Sequence, residues 1–477
     1  MLATGASTRR TRLTVGLVAA GLLGACAEAP AISDPTVDLG RPSLSASALS
    51  AGRSIIMGRN GTLPADLAAQ VSKAGGTLDG VLPEIGVAFV SNVGTATFKG
   101  VEAVASDLTL TYDEGRTVAM TEDIGESLAT AQVASLADNE PLYRFQYAPA
   151  AVQAPEVWNK GITGHGVRVA VLDGGLYDVH PDLQAGVDAA ASRSFTTGNY
   201  NTDVGSFWHG THVAGIIGAR DNGTGVIGIA PGVTLIGVKV LHNGSGPFSA
   251  ILSGIVYAAK PLAAGGAGAQ IINMSLGAYI ENGKDQEIKA ELRDLSTAID
   301  RAMRYANAQG TTVIVAAGND GSNLDANKVD VVLPAMSARV IGVSATAPFG
   351  WAYGNTDYGR QASYTNTGKA VVNLAAPGGD FAWPTNENCT FSGLVRPCWV
   401  FDMYLSTSRA GYSWAAGTSM ATPVVAGVAA LIIEANGGTL NPAQVRAKLN
   451  QGALDLGKPG FDAVYGQGFV NALGSMR

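Results

Sequence analysis

Charge and metal-binding side chains are scarce in this chain. Of its 477 residues only 14% are charged, three are cysteine and five are histidine. The formal net charge is -7 and no long Lys/Arg tract stands out. A surface for nucleic acid or anionic lipid is therefore not expected. The 62 glycines follow no every-third-residue period, which excludes collagen and leaves a turn-rich globular chain. There is no internal repeat, no coiled coil and no second transmembrane segment by sequence pattern. Apolar residues are plentiful instead, at 47%, enough for a large core and unlike a disordered chain. The length suits two or three units.

The N-terminus reads as an export signal. Arg9, Arg10 and Arg12 precede an apolar run from Leu13 to Leu23. That run has the length of a signal h-region and is too short to span a membrane comfortably. Leu23-Gly24-Ala25-Cys26 resembles the lipobox of bacterial lipoproteins. The resemblance implies that residues 1–25 are removed and that Cys26 is lipidated, with membrane lipid as a partner. The plainer alternative is an ordinary signal peptide that contains a cysteine. Arg9-Arg10 is a faint sign of twin-arginine export. The expected location is the cell envelope of a bacterium, on a lipid anchor or released after processing. With Cys26 set aside, Cys389 and Cys398 remain as a pair that can form a disulfide in an oxidising compartment. Free thiols are the alternative. Metal binding there is disfavoured, since two cysteines with no histidine nearby supply too few ligands.

Residues 26–52, rich in Ala, Ser and Pro, read as a flexible tether. Residues 53–112 predict a small α+β unit of β-α-β-β-α-β order. Ser54 to Met57 is a short apolar run, and Leu63, Leu67 and Val71 share one helix face. Ile85 to Val90 is a strand candidate, Phe98 to Ala105 a second helix, and Leu108 to Tyr112 a closing strand. Residues 113–150 read as a connecting segment. From 151 to 475 the chain predicts one α/β domain with a doubly wound, mostly parallel sheet. Apolar runs at Leu235–Val240, Ile271–Met274, Thr312–Ala317, Val340–Val343 and Val371–Leu374 suit strands buried on both faces. Ala250–Ala259 and Asp294–Gln309 are long enough for crossover helices. Phe349–Gly359 and Gly379–Trp414, rich in Gly, Asn, Trp and Tyr, break that rhythm. The second of these reads as a long surface excursion next to the functional site.

Four segments carry candidate chemistry. Val169-Ala170-Val171-Leu172-Asp173 places a carboxylate where a buried strand ends, a position from which it can orient a histidine. His209-Gly210-Thr211-His212-Val213-Ala214-Gly215 offers a general base at a helix start. Two histidines three apart also suggest a metal pair, but no Glu-based zincin arrangement accompanies them. Gly417-Thr418-Ser419-Met420-Ala421-Thr422-Pro423 opens an apolar helix. A serine there is often only an N-cap. It also sits in the positive end of the helix field, which suits a nucleophile whose substrate develops an oxyanion. Val313 to Ala317 runs into Gly318-Asn319, where Asn319 is either a turn former or an oxyanion donor.

Together, in this order, the four blocks resemble the signature blocks of the subtilisin-like serine proteases. The resemblance implies a catalytic triad of Asp173, His209 and Ser419, with Asn319 in the oxyanion hole and polypeptides as substrates. It implies that Ser275-Leu276-Gly277 and the segment around Gly244 and Gly246 line the substrate cleft, pairing with extended backbone. It further implies that residues 53–112, a ferredoxin-like unit, act as the enzyme's own inhibitory propeptide, with cleavage between about 113 and 150. No cofactor is required for such chemistry. The family often binds structural calcium and Asp182 is one candidate ligand, but no compact oxygen-rich loop stands out. One departure is Gly174, where the family usually has Thr or Ser. Two rival readings remain. A non-catalytic binding protein on the same fold is opposed by the presence of all four residues. An esterase is opposed by the absence of Gly-x-Ser-x-Gly around Ser419.

Overall fold

A computed structural model describes residues 52–111, 116–120, 139–280, 286–327 and 330–477. The expected signal peptide, Cys26 and the tether up to residue 51 lie outside the described residues.

The first part is a four-stranded antiparallel sheet. Its strands are β1 (Arg53–Gly58), β2 (Thr77–Leu82), β3 (Val87–Ser91) and β4 (Val101–Ser106), in the order β2-β3-β1-β4. A single helix, α1 (Leu67–Lys73), covers one face, and Leu67 and Val71 pack there with Ile56, Ala88 and Val90. The second helix expected over Phe98–Ala105 is not formed. Val101–Ser106 is instead a strand in register with β1, Ile55 opposite Ala105. The two-helix ferredoxin-like unit is therefore not present. The expected closing strand also finds a different partner. β5 (Thr109–Thr111) leaves this sheet, and β6 (Arg116–Ala119) follows it.

The larger part is built on seven strands: β7 (Arg168–Asp173), β8 (Arg193–Ser194), β9 (Thr234–Lys239), β11 (Ile271–Met274), β13 (Thr312–Ala316), β15 (Val340–Thr346) and β16 (Leu374–Pro377). Their order is β16-β15-β13-β11-β7-β9-β8 and every pairing is parallel. Parallel strands need crossovers, and the crossovers cover both faces. The chain is apolar on both sides of these strands for that reason; Val169 to Leu172 and Ile271 to Met274 are buried. The helices are α2 (His209–Gly218), α3 (Phe248–Ala259), α4 (Gln286–Ala308), α5 (Thr418–Ala435) and α6 (Pro442–Gly452). β10 (Ser245–Pro247) leads directly into α3, and β12 (Ala278–Ile280) pairs with β14 (Val331–Leu333). By length and composition α5 is apolar enough to cross a membrane, but it is buried inside the protein as a core helix.

One face of the small sheet lies on α3 and α4. Ile55, Met57, Val87 and Phe89 share a core with Ile251, Ile255, Leu295 and Ile299. Arg301 on α4 is buried and donates to the carbonyls of Gly58, Ile85 and Gly86, and it pairs with Glu102 at 2.8 Å. Asp107 accepts from Ser249 N and Oγ at the head of α3. β5 then pairs antiparallel with β10, Leu110 opposite Gly246.

The excursion at 379–414 is not a surface loop. It contains the hairpin β17 (Asn388–Phe391) and β18 (Leu394–Pro397), a helical turn at Cys398–Phe401, and strands β19 (Tyr404–Ser408) and β20 (Gly411–Ala416). Cys398 to Ser408 is buried. Aromatic contacts hold it from behind: Phe391 and Phe401 against Phe145, and Trp351 against Phe391. The buried Asp402 carboxylate accepts from Gly350 N and Trp351 N at 2.8 and 2.7 Å. β6 pairs with the outer edge of β20.

Candidate active site

Asp173 is the last residue of β7, opposite Lys239 at the end of β9. Its side chain is 3% exposed and accepts from Nδ1 of His209 at 3.0 and 2.9 Å. It also accepts from Gly174 N at 2.7 Å. His209 is the first residue of α2. The helix can start this close to the strand because Gly210 has no side chain. A Cβ there would stand 2.6 Å from Gly175 O and 2.9 Å from Asp173 Cβ. Since the carboxylate takes the Nδ1 proton, the other ring nitrogen, Nε2, is the basic one in neutral His209.

Ser419 is the second residue of α5, which packs against α2. Its Oγ lies 3.1 Å from the carbonyl of Ser275, and Ser275 Oγ donates back to Ser419 O at 2.7 Å. Asn273 donates to the same Ser275 hydroxyl. The start of α5 is thus tied to the end of β11 by two hydrogen bonds, and Asn273 holds the Ser275 hydroxyl that makes one of them.

Asn319 lies just past β13, after Gly318 with φ +97°. Its Oδ1 accepts from both Thr418 N and Thr418 Oγ1 at 2.8 Å. That fixes the amide plane. Nδ2 and the backbone N of Ser419 lie 3.5 and 3.6 Å from one point, where a Cβ on Gly417 would stand. Two N–H groups this close to one point at a helix N-terminus are suited to hold a developing oxyanion. Fully buried Asn366 braces the turn by accepting from Asp320 N and Ser322 N and donating to Ala317 O.

The structure supplies the reason for Gly174. A Cβ there would meet Asp203 Oδ2 at 2.2 Å, so the Asp203 carboxylate fills the space of a side chain. Asp203 lies 3.7 Å from the buried ammonium of Lys239, which also donates to Gly174 O. Burial pushes the Lys239 pKa down, while Asp203 and Asp173 hold it up. The sequence reading missed Lys239 and Asp203, although a lone lysine inside an apolar strand was a usable signal. His212 is neutral: burial pushes its pKa down to about 3, and its Nε2 donates to Ser413 O. Among the described residues, no three His, Cys, Asp or Glu side chains form a metal cluster.

The other expected residues divide into two groups. Gly246 lies on β10 and pairs with Leu110, and Gly244 precedes it at φ +69°. Ser275 and Gly277 adjoin Ser419 and β12, whereas the Leu276 side chain points into the core below. Cys389 and Cys398 form a disulfide. Asp182 is buried near Glu140, another residue the sequence reading missed. Burial pushes each carboxyl up to about 7, and Glu140 raises Asp182 further. Glu140 Oε2 and Asp182 Oδ1 have no hydrogen-bond partner.

Comparison with known proteins places these observations in a wider set. The model of the Subtilase family matches residues 164–468. Subtilisin DY of Bacillus licheniformis is 36% identical over 327 residues, covering 68% of this chain and 96% of the relative. M-protease of Shouchella clausii is 33% identical over 378 residues, covering 79% and 77%. Among solved structures, a lanthipeptide protease is 30% identical with a TM-score of 0.56, covering 70% of this chain and 94% of its own. The epidermin leader peptide processing serine protease of Staphylococcus aureus has a TM-score of 0.68 at 21% identity, covering 89% and 97%; it shows the fold alone.

Proposed function

The chain belongs to the subtilase family and is a serine endopeptidase, and we propose that Asp173, His209 and Ser419 are its catalytic triad. The observation that carries this reading is the two-oxygen contact of Asp173 with His209 Nδ1 at the same sheet edge that holds the start of α5. Ser419 Oγ attacks the scissile carbonyl as its proton passes to His209 Nε2. Asp173 keeps the imidazole in the required tautomer and stabilises the imidazolium. Asn319 Nδ2 and Ser419 N–H stabilise the oxyanion. His209 returns the proton to the leaving amine, and water reverses the sequence on the acyl-enzyme. Ser275, Gly277, Gly244 and Gly246 border the cleft in this reading, with Leu276 supporting it from the core. A fluorophosphonate probe tests the assignment: it labels the processed wild type and not Ser419→Ala. Equal labelling of both, or equal rates on casein, overturns it.

Residues 53–111 act as an inhibitory, fold-assisting propeptide in this reading. Two features support it: the apolar face seated on α3 and α4, and β5 paired with β10 at the cleft edge. Cleavage then falls between Thr111 and Arg116, narrower than the 113–150 interval expected from sequence. N-terminal sequencing of the active species tests this, and a first residue outside 112–116 overturns it. Export through the signal peptide and lipidation at Cys26 complete the proposal. A Cys26→Ser variant then shifts the precursor from the membrane fraction to the soluble one.

Structural calcium fits one place. The two buried carboxylates of Glu140 and Asp182, each with an oxygen lacking a partner, suit a hard cation that takes oxygen ligands. Their role is to hold the loop at 220–226, through the bonds Glu140 makes to Asn222 N and Gly223 N and Asp182 to Val226 N.

A further inference from the structure

The described strands β5 and β6 pair with two different strands near the candidate active site. The chain pairs with β10 through β5, and five residues after Thr111 it pairs with β20 through β6, Arg116 opposite Ala416. β20 runs directly into Gly417 and Ser419. A polypeptide bound in this sense places its acyl side on β10 and its leaving-amine side on β20. Along β6 the side chains alternate. Thr117 and Ala119 are exposed, whereas Val118 and Met120 pack against the core.

Arg116 enters a site of its own. Its guanidinium carbon lies 4.4 Å from the centroid of the Trp399 ring and 5.0 Å from that of Phe381. Burial pushes its pKa down, so this cation is partly stripped of water and rests on two π faces. The rings are prebuilt. Trp399 Nε1 donates to Asn386 Oδ1 at 3.1 Å, and Trp399 follows Cys398 of the disulfide. Phe381 stacks on Tyr364 at 5.8 Å. Phe381, Asn386 and Trp399 lie in the excursion between β16 and α5.

We propose that Phe381 and Trp399 form a leaving-group-side subsite that selects an arginine or lysine in polypeptides lying along β20. Arg116 of the chain's own linker is its first occupant. The proposal rests on Ser419 being the nucleophile, because that choice defines which side of the cleft β20 serves.

The test uses the processed enzyme and quenched fluorescent peptides with the sequence of residues 107–120. Four versions carry Arg, Lys, Ala or citrulline at position 116. The expected kcat/KM is highest for Arg, within about three-fold of it for Lys, and about ten-fold lower for Ala and for neutral citrulline. The Trp399→Phe variant keeps the preference and Trp399→Leu loses it, while both cut the Ala peptide at the wild-type rate. That last rate guards against misfolding. Equal kcat/KM for Arg and Ala peptides overturns the subsite, as does an Arg preference unchanged in Trp399→Leu. Permanent retention of Arg116 between the rings in the mature enzyme gives the first of these results. If casein is cut but the peptides show no preference at position 116, only the subsite fails. If neither casein nor any peptide is cut, the catalytic reading fails with it.

Discussion

β10 and β20, the strands that β5 and β6 pair with, are held in place by different means. β10 is placed by backbone. It follows β9 of the parallel sheet and leads at once into α3, with Phe248 N bonded to Leu108 O. β20 pairs with β19, and the excursion that carries both is anchored by side chains. That excursion is held by one disulfide, the Asp402 carboxylate and a set of rings around Phe145, Trp351 and Phe391. In the proposed reading the carboxylate, the histidine and the serine sit on the parallel-sheet scaffold, while the excursion that carries β20 is free to set which polypeptides lie along it. Insertions that do not disturb the sheet can change selection without disturbing the site.

Four experiments break or sharpen that contrast. The largest effect is expected at Ser419. Ser419→Ala should lower kcat on casein by about 10⁶-fold and leave the melting temperature near wild type. A residual rate within ten-fold of wild type would contradict the assignment. Asn319→Ala should lower kcat by about 10²–10³-fold, the usual loss for one oxyanion donor, with KM little changed. A change confined to KM would mean that Asn319 acts in binding alone.

The other two concern stability. Cys389→Ser with Cys398→Ser should cost about 2–3 kcal/mol by denaturant titration, while kcat on a short peptide that ends at the scissile bond stays near wild type. Loss of that activity in a folded protein would show that the scaffold and the excursion are not separable. The smallest effect is at Glu140 and Asp182. Their folded pKa values are raised to about 7, above the unfolded ones. The stability they contribute is therefore full below pH ~4 and is lost as pH rises through about 7. Calcium favours the charged forms, so its stabilisation grows over the same window. Scanning calorimetry with and without EDTA should show little difference at pH 5 and about 5 °C at pH 8. No difference at pH 8 would remove calcium from this site.

The blocks around Asp173, His209, Asn319 and Ser419 were legible because each is short, continuous and bound to a strand end or helix start. Other readings failed where the partner lay far away in the chain. Phe98–Ala105 passes for a helix by its apolar spacing, yet Ala105 pairs with Ile55 and the segment is a strand. Leu108–Tyr112 was expected to close the small sheet, but its strand Thr109–Thr111 joins β10. The excursion passed for a surface loop because its Gly, Asn and Trp residues show no period. Its burial comes from rings at positions 145 and 351. Gly174 was readable only as a departure until Asp203 was seen in the space beside it.

The sequence by itself determined the reaction class, the parallel α/β class and the identity of the four residues proposed for the chemistry. Local order along the chain is enough for these, because a strand end and a helix start position their side chains through nearby backbone. Only the tertiary structure decided what lies beside them. The Lys239–Asp203 pair under Gly174, the Glu140–Asp182 carboxylates and the Arg116 site between Phe381 and Trp399 each join residues distant in sequence. Nothing in local spacing encodes such pairs, since side-chain packing in a dense core depends on which elements meet rather than on their order.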